Sequence, residues 1–435
     1  MSSLALDTEN SSVYKDRLTL FGILLCVIGA LFYCYEYYLR VAPSVMAEQL
    51  KSTFSLSQAA FGNLAGFYYY AYTPMQIPAG IAMDRFGPRK VLTLACFFCF
   101  LGTLLFSNNS HLGLAQLGRF LVGFGSAFGY VGVLKLASNW LPERYFALTA
   151  GICTTLGMVG GVLGLTSMTY LVEKFGWQQT LWGSAFLGFG IALITWTCVQ
   201  DHCSKTEALK QARIAQALDL KIKQILKYLS GKMIKNPTFW INGLIGAITY
   251  LPISVFAELW AVPYLKVLGF DPSTAAQAAS VALVGFAVGG PIWGLVSDRM
   301  SSRRIPLLLG SMCSCLFLAS LLYYQPENPY LVIILLFLSS FFASVEILVF
   351  AVSNDITANE YSATAASFTN MLVMLGGALL QPIVGWILDL LTGTDSSHAV
   401  TATITEYNTA LSLLPLAMFF AGLLSILLPE TYKKG

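Results

Sequence analysis

Long apolar stretches, separated by short polar segments, run through most of the chain. A transmembrane helix needs about 20 consecutive apolar residues, because each residue advances the helix axis by about 1.5 Å. Twelve stretches approach or exceed this length, and they predict an all-α membrane protein with twelve transmembrane helices. They lie near residues 18–44, 58–82, 90–107, 112–138, 146–172, 178–199, 237–263, 275–297, 304–324, 329–354, 363–390 and 408–429.

A short polar pattern that follows the second stretch recurs in the second half of the chain. The run from Gly80 to Lys90 returns, in altered form, as the run from Gly294 to Arg304, 214 residues later. Each run has a glycine, an aspartate four residues on, an adjacent arginine and then a basic pair. A repeat at about half the chain length is typical of transporters built from two similar bundles. We therefore predict two pseudosymmetric six-helix bundles.

The predicted bundles occupy residues 1–200 and 237–435, and residues 201–236 link them on the cytoplasmic side. The linker is the most basic part of the chain. Apolar residues recur in it at roughly helical spacing, at Ala208, Ile214, Leu218, Ile222, Ile225 and Leu229. This pattern favours an amphipathic helix on the inner membrane surface, with a solvated loop as the alternative.

The composition excludes a water-soluble protein and explains the positive net charge. Hydrophobic residues make up 56% of the chain and charged residues 11%, whereas soluble proteins are about 25% charged. Lysine and arginine concentrate in loops on the side of both termini, and only Lys51, Lys174 and Lys266 fall in loops on the other side. The positive-inside rule therefore places both termini in the cytoplasm. We expect the net charge of +3 to reflect topology and not a nucleic-acid partner.

Histidine and cysteine give no sign of metal or redox chemistry. His111, His202 and His398 all lie in predicted loops, without metal-ligand spacing to cysteines or carboxylates. None of the nine cysteines falls in a predicted outer loop, where a disulfide could persist. We therefore expect no cofactor, no metal site and no enzymatic activity, with the proton gradient as the energy source.

Six ionisable residues stand out within the apolar stretches. Charge inside a membrane is costly, so such residues are candidates for function. They are Glu36, Arg40, Arg119, Lys135, Glu258 and Glu346. Glu36 and Arg40 stand four residues apart on one predicted helix, so they share a face and can neutralise one another. They form the leading candidate pair.

Tyrosines surround this pair in the first and second stretches. A tyrosine combines an apolar ring with a hydroxyl, so a tyrosine-lined cavity can bind a polar solute whose carbon skeleton packs on rings. The candidate rings are Tyr33, Tyr35, Tyr37, Tyr38, Tyr68, Tyr69, Tyr70 and Tyr72. We expect part of this set to line a central cavity and the rest to pack between helices. The seventh stretch offers Glu258 and Trp260 from the other half.

The run from Gly80 to Lys90 resembles the signature loop between the second and third helices of the major facilitator superfamily, and its repeat resembles that family's second copy. The run from Arg119 to Ala127 is similar to an arginine-then-glycine pattern of the same family. The resemblance spans nearly the whole chain. It implies two six-helix bundles around a central cavity and transport by alternating access to that cavity.

The same resemblance implies that the signature residues form a gate. An aspartate at a cytoplasmic helix end can accept hydrogen bonds from a facing helix N-terminus and pair with an adjacent guanidinium. Such contacts can hold one conformation shut. The gate candidates are Asp84, Arg85, Arg89, Arg119, Asp298 and Arg299. A role in membrane topology alone is the alternative.

A second resemblance concerns the substrate. The run from Tyr37 to Ser44 looks like the organic-anion branches of the superfamily, which include organophosphate exchangers and anion:cation symporters. It implies that Arg40 holds the anionic group of the substrate. Gln76 stands where the organophosphate exchangers carry a lysine, and one fewer cation argues against a phosphate dianion. A monocarboxylate, sugar acid, amino acid or small peptide remains, since arginine can bind a carboxylate through two hydrogen bonds.

We expect proton coupling at the buried carboxylates. A substrate that competes for Arg40 would favour protonation of Glu36, which links proton entry to anion entry. Glu258 could contact an ammonium group or carry a second proton, and Glu346 is a further candidate. The predicted substrate-binding set is Arg40, Tyr37, Tyr68, Tyr72, Gln76, Glu258 and Trp260. The alternative for Glu36 is a permanent ion pair with Arg40.

Together, these expectations describe a proton-coupled importer of a carboxylate-bearing solute. Solute exchange, facilitated diffusion and export are alternatives, with nucleosides, sugars or drugs among the substrates. A solute sensor that does not transport is a more remote alternative. We expect a monomeric multi-pass protein of a bacterial inner membrane, with a eukaryotic organelle as the other location. Its expected partners are the lipid bilayer and a small-molecule substrate.

Overall fold

The structure, a computed structural model, describes residues 2–108, 111–142, 145–201, 224–225, 227–358, 361–393 and 402–432, with side chains from Leu20 onward except at residue 147. The described residues are almost wholly helical and include no strand. Much of the predicted linker lies outside these ranges, so its amphipathic helix stays a prediction. Residues outside them include Ala208, Ile214, Leu218, Ile222, His202 and His398.

The first half contains six long helical elements. In chain order, α1 spans Ser2–Arg40, α2 Gln58–Phe86, α3 Pro88–Phe106, α4 Leu112–Ser126 with Gly129–Trp140, α5 Phe146–Phe175 and α6 Trp177–Cys198. Two short helices, Ala42–Val45 and Ala47–Phe54, connect α1 to α2.

The second half contains six more, three of them built from shorter segments. In chain order, α7 comprises Pro237–Thr249, Pro252–Trp260 and Ala261–Val267, α8 spans Pro272–Met300, α9 Arg304–Tyr324, α10 comprises Pro329–Ala343, Ser344–Glu346 and Ile347–Asp355, α11 spans Ser362–Thr392, and α12 comprises Ile404–Leu411 and Leu413–Ser425. A short π-helical turn, Leu229–Met233, precedes α7.

The predicted fold class, an all-α membrane protein of twelve helices in two bundles, is confirmed. Eleven helices of the described part of the chain are long and apolar enough to cross a membrane. The remaining one, α2, has the length with 29 residues. Its tyrosines and polar side chains, such as Asn63 and Gln76, make it less apolar than the others.

Irregular backbone coincides with three of the buried charges. α1 ends at Arg40, and Pro43 lies in the first turn of the next helix. Glu258 belongs to a π-helical segment that begins at Pro252. Glu346 belongs to the 3-10 turn of α10. Short π and 3-10 interruptions of helices are common at functional sites, so these breaks direct attention to the same residues as the sequence does.

Two helix pairs join the halves, with α2 packed against α11 and α5 against α8. Glycines permit the close approach. Gly62 of α2 lies against the backbone of Gln381 on α11, and Gly161 of α5 lies against Leu283 on α8. We call the end of the bundle that carries both signature runs the basic end. The opposite end, where α2 begins and α11 finishes, is the far end.

The halves meet toward the far end and part toward the basic end. Gly80 lies on the same face of α2 as Gly62, because the 18 residues between them make five turns at about 3.6 residues per turn. A Cβ at Gly80 would meet no described atom within 4 Å. The same holds on α8 for Gly290, about two turns beyond Leu283. Both interfaces therefore open toward the basic end.

Candidate functional site

The candidate site is built around Arg40, which is buried in the interior of the protein. Because α1 ends at this residue, its last carbonyl groups need partners outside the helix. Arg119 of α4 supplies them, with Nη1 donating to the carbonyl of Leu39 at 3.0 Å and Nη2 donating to that of Arg40 at 3.4 Å. Arg119 thereby fixes the backbone from which the Arg40 side chain projects.

Two carboxylates, one from each half, flank the Arg40 guanidinium. Its Nη2 lies 3.2 Å from Oε1 of Glu36, and its Nη1 lies 3.8 Å from Oε1 of Glu258 on α7. All three residues are at most 3% exposed. The longer distance exceeds hydrogen-bond range, so the pair across the halves is looser than the pair within α1. The structure thus brings Glu36, Arg40 and Glu258 together.

Tyrosine hydroxyls tie these charges to one another. Tyr68 donates to Oε2 of Glu36 at 2.8 Å and accepts a hydrogen bond from Nε of Arg40 at 3.0 Å. Tyr69 of α2 donates to Oε2 of Glu258 across the halves. In a low-dielectric interior such networks hold side chains in defined positions. We refer to Glu36, Arg40 and Glu258 with their tyrosine partners as the central site.

Aromatic rings also enclose the Arg40 guanidinium. Its Cζ lies 3.9 Å from the ring centre of Tyr37, 5.0 Å from that of Tyr72 and 5.1 Å from that of Tyr68. These distances suit cation–π attraction, which is stronger in a desolvated site. The hydroxyl of Tyr37 lies 2.9 Å from that of Tyr250 on α7, which adds another contact between the halves.

An amide pair borders the central site toward the basic end. Asn370 Nδ2 of α11 donates to Gln76 Oε1 of α2 at 2.7 Å. The amide nitrogen of Gln76 donates in turn to the carbonyl of Tyr72 at 3.3 Å, so this pair adjoins one of the rings around Arg40. Gln76 thus lies one helical turn from Tyr72 and bonds to Asn370 of the other half, and its role in binding stays a prediction.

Two other predicted residues have contacts elsewhere. Trp260 is fully buried, with its ring edge-on to Phe61 at a centre-to-centre distance of 5.6 Å. Its indole N–H donates to the carbonyl of Gln381 at 3.3 Å. Trp260 therefore packs the halves together, and its polar atom is already bonded. Glu346 lies in the turn of α10 that packs against α8 and α9 within the second half.

In the first half, the signature residues bond within their own half. Asp84 pairs with Lys135 of α4 at 2.7 Å. Arg89 donates through Nε to the carbonyl of Trp196 at 2.9 Å, and its backbone N–H donates to Asp201 at 2.8 Å. Asp201 thus caps the N-terminal turn of α3, where the helix dipole favours a negative charge.

The second half repeats this arrangement. Arg303 pairs with Asp298 at 3.0 Å and with Asp355 at 3.4 Å. Glu430, which follows α12, accepts a hydrogen bond from the backbone N–H of Arg303 at 2.9 Å and so caps the start of α9. Arg299 is exposed. These bonds stabilise each half separately in this conformation, and the gate role of the signature residues stays a prediction.

The far end carries contacts that cross from one half to the other. Asp389 of α11 accepts hydrogen bonds from the backbone N–H groups of Gln58 at 2.8 Å and Ala59 at 2.9 Å, and so caps α2. Lys266 at the end of α7 pairs with Glu48 at 2.5 Å. The far end is therefore closed by polar bonds as well as by packing.

Sequence reasoning missed several of these partners. Tyr250 and Asn370 meet the first half only in the tertiary structure, and their spacing in the sequence carries no signal of it. Asp389 did carry a signal, since it is an acidic residue inside an apolar stretch. Arg119, grouped with the gate candidates, lies beside Arg40 and apart from the two signature runs.

Comparison with known proteins gives consistent matches along the chain. The family model for the Major Facilitator Superfamily matches residues 24–381. The chain is 25% identical over 394 residues to the probable sulfoacetate transporter SauU of Cupriavidus necator, covering 86% of this chain and 89% of that protein. It is 24% identical over 380 residues to the lysosomal dipeptide transporter MFSD1 of Homo sapiens, covering 84% of this chain and 79% of that protein.

A solved structure agrees with the fold. It is a crystal structure of a bacterial homolog to the human lysosomal transporter Spinster, in an inward-facing and occupied conformation. The two folds compare with a TM-score of 0.73 at 17% sequence identity, covering 93% of this chain and 96% of that chain.

Proposed function

The chain belongs to the Major Facilitator Superfamily, and from this membership we propose that it imports a small carboxylate-bearing solute together with a proton. Relatives at about a quarter identity are named as transporters of sulfoacetate and of dipeptides. Both kinds of compound carry a carboxylate, and they otherwise differ in size and charge. The shared group is therefore the part of the substrate that we assign to Arg40.

The observation that carries the proposal is the position of Arg40 between the two halves. Its guanidinium is held at 3.2 Å by Glu36 of its own helix but only at 3.8 Å by Glu258 of the other half. A substrate carboxylate can take the place of Glu258 and bind the guanidinium through two hydrogen bonds. The rings of Tyr37 and Tyr72 would then contact the carbon skeleton.

Charge balance supports coupling to a proton. Arg40 and Arg119 bring two buried positive charges to this region, and Glu36 and Glu258 bring two negative ones. A substrate carboxylate adds a third negative charge in an interior where uncompensated charge is costly. One proton taken up by Glu36 or Glu258 restores neutrality, so substrate and proton favour each other's binding.

The arrangement of the halves supports alternating access. As an integral multi-pass membrane protein, the chain is proposed to have its basic end in the cytoplasm, because lysine and arginine concentrate there. The interfaces part toward this end, and the Gln76–Asn370 bond still separates the buried central site from it, so we propose that substrate exchanges with the cytoplasm once that bond opens. Rocking of the halves would close the basic end and open the far end. A monomer in a bacterial inner membrane is the proposed setting.

The signature residues keep a proposed role as the gate at the basic end. When that end closes, we expect some of their bonds within each half to be exchanged for bonds across the halves. The gate set is then Asp84, Arg85, Arg89, Asp298 and Arg299. Arg119 receives a different proposed role, because its bonds to the end of α1 position Arg40. Glu346 stays a candidate for a second proton site inside the second half.

Solute exchange without a proton is the second candidate, and one observation favours it. Glu36 accepts from Arg40 at 3.2 and 3.3 Å and from Tyr68 at 2.8 Å, as a permanent ion pair would. In that case an ammonium group of an amino acid or dipeptide could compensate for the added carboxylate at Glu258. Collapse of the proton gradient distinguishes the two, because it abolishes accumulation by a symporter and spares an exchanger.

Ligand-dependent thermal unfolding of the purified protein tests the substrate class. A ligand bound to the native state raises the unfolding temperature by mass action. The panel comprises carboxylates, sugar acids, amino acids, dipeptides, nucleosides and neutral sugars. We expect a carboxylate to stabilise the wild type and to have no effect on Arg40→Ala. Arg40→Lys keeps the charge but loses the planar donor pair. Its affinity for the carboxylate should therefore be about tenfold to a hundredfold lower than that of the wild type.

Lys174→Gln is the matched control, because it removes an exposed cation that lies away from the central site. Its unfolding temperature should respond to the carboxylate as that of the wild type does. Stabilisation only by nucleosides or neutral sugars would contradict the proposal, as would a carboxylate effect that survives in Arg40→Ala.

A further inference from the structure

A second polar cleft lies between the halves at the far end. It encloses about 90 Å³, room for about three water molecules. Ser44, Glu48 and Lys51 line it from the first half, and Lys266 and Tyr407 line it from the second. It is therefore a small charged space that exists only where the halves meet.

Lysines give this far-end cleft a basic lining. Of the three cations that the sequence places on the far side, Lys51, Lys174 and Lys266, two line the cleft. Lys51 donates to the neutral side-chain oxygen of Gln58 at 3.2 Å. Burial lowers the pKa of Lys51, Glu48 acts to raise it, the charge of Lys266 lowers it further, and Asp389 acts to raise it. A bound anion would relieve this repulsion.

Glu48 occupies the place that another carboxylate could take. It lies 2.5 Å from Nζ of Lys266, and its side chain is 66% exposed, whereas that of Lys266 is 26% exposed. Ion pairs with such exposure contribute little to stability, because water solvates the separated groups well. Glu48 can therefore turn into solvent and leave Lys266 to an incoming carboxylate.

A cross-half hydrogen bond lies between the far-end cleft and the central site. Ser44, which lines the cleft, donates to the carbonyl of Leu259 at 2.9 Å. Ser44 follows Arg40 by about one helical turn, and Leu259 is next to Glu258 in the chain. The cleft thus lies on the far side of the Arg40–Glu258 pair, along the interface that must open during alternating access.

We propose that the far-end cleft is an entry site, where Lys51 and Lys266 bind the carboxylate of the substrate before it passes to Arg40. This inference rests on the transport of a carboxylate-bearing solute proposed above. The incoming carboxylate replaces Glu48 at Lys266, and this exchange costs little, because the Glu48–Lys266 pair is exposed to solvent.

Transport kinetics measured separately from each face test the entry site. Right-side-out and everted membrane vesicles give the KM from the far side and from the basic side, with radiolabelled sulfoacetate and alanyl-alanine as probes. Lys266→Gln and Lys51→Gln should each raise the far-side KM about tenfold, since each loses a charge-assisted bond to the probe. The basic-side KM and the thermal stabilisation through Arg40 should change less than about twofold.

Glu48→Gln distinguishes an entry site from an ion pair that only holds the far end closed. It removes the carboxylate that competes for Lys266, so the far-side KM should fall, opposite in sign to the effect of Lys266→Gln. If the Glu48–Lys266 pair served only to hold the far end closed, both variants would shift the far-side KM in the same direction. That result would overturn the proposal. Lys174→Gln is the matched control, as it removes the far-side cation outside the cleft and should leave the far-side KM unchanged.

The results also separate this inference from the proposed function. If the wild type responds to a carboxylate through Arg40 but both lysine variants behave like Lys174→Gln, the entry site is wrong and the transport proposal stands. If no carboxylate stabilises the wild type and neither probe is taken up, both proposals fail together.

Discussion

Carboxylates bind helix N-termini at both ends of the protein, but they connect different parts of it. At the far end, Asp389 of α11 caps α2, which belongs to the other half. At the basic end, Asp201 caps α3 and Glu430 caps α9, each within its own half. At the far end the cap from Asp389 therefore ties the halves together, while Asp271 there caps α8 within its own half, and the two caps at the basic end each stabilise one half.

This difference shows which bonds a conformational change must break. Bonds inside a half can be strong, because each half would move as a unit in the proposed alternating access. Bonds across the far end must be weak enough to yield when that end opens, since conformations that exchange during function differ by only a few kcal/mol. The exposed Glu48–Lys266 pair and the cap from Asp389 fit this requirement.

The largest expected effect comes from widening the far-end contact between α2 and α11. In Gly62→Ala the new Cβ meets the backbone of Gln381, which cannot move aside as a side chain can. Overpacking of this kind costs about 1–3 kcal/mol, and the cost falls only on the conformation in which the far end is closed. Transport rates should fall. Val45 lines the far-end cleft, so a membrane-impermeant thiol reagent should label Val45→Cys faster in the protein that also carries Gly62→Ala than in the parent, which carries Val45→Cys alone.

Gly80→Ala is the matched control, on the same face of the same helix. Its Cβ meets no described atom within 4 Å, so labelling of Val45→Cys should stay at the parental rate. Equal labelling rates in the two alanine variants would contradict the conclusion that the interface opens only toward the basic end.

A smaller shift is expected from Asp389→Ala. Removing a carboxylate from a helix N-terminus costs about 1–2 kcal/mol, and here the loss weakens a bond across the halves. Labelling of Val45→Cys should therefore accelerate about fivefold or more. Asp201→Ala removes the same kind of cap within one half, so it should lower the unfolding temperature without faster labelling. The comparison of the two ends fails if Asp201→Ala accelerates labelling as much as Asp389→Ala does.

The smallest effect concerns Glu430 and pH. Burial acts to raise its pKa, but hydrogen bonds from Ser302 and the backbone of Arg303 outweigh burial and hold the pKa below its usual value. The cap therefore stabilises the folded protein above about pH 4.5, which is close to the pKa of a glutamate in the unfolded chain. This stabilisation is lost as the pH falls further. The unfolding temperature should exceed that of Glu430→Gln at pH 6, and the gap should shrink near pH 3.5.

A pH-independent gap between the two proteins would show that the Glu430 carboxylate charge contributes nothing to the cap. Labelling of Val45→Cys should be the same in both proteins at every pH, because Glu430 bonds within its own half.

The fold could be predicted from the sequence because it depends on local quantities. The length of each apolar stretch and the repeat at Gly294 require no knowledge of tertiary contacts. The pairing of Glu36 with Arg40 is also local, since residues four apart share a helix face. These features were accordingly available from the chain alone.

The rest of the site depends on which helices meet. Nothing in the spacing of Tyr250 or Asn370 indicates that each faces α1 or α2, and nothing in the spacing of Trp260 indicates that its ring packs against Phe61. The chemistry predicted for Asp84, a carboxylate on a facing helix N-terminus, is present across the halves at Asp389. Composition shows which groups are available, and only packing determines where each is used.

The π-helical segment of α7 has a consequence for comparing this chain with its relatives. Pro252–Trp260 adopts this wider helix, and Glu258 lies within it. Successive residues of any helix are rotated about its axis, so deleting one codon between Pro252 and Glu258 would change the direction in which the Glu258 carboxylate points. A single-codon insertion or deletion in this segment can therefore alter the charge presented to the substrate while every other residue around the guanidinium stays the same.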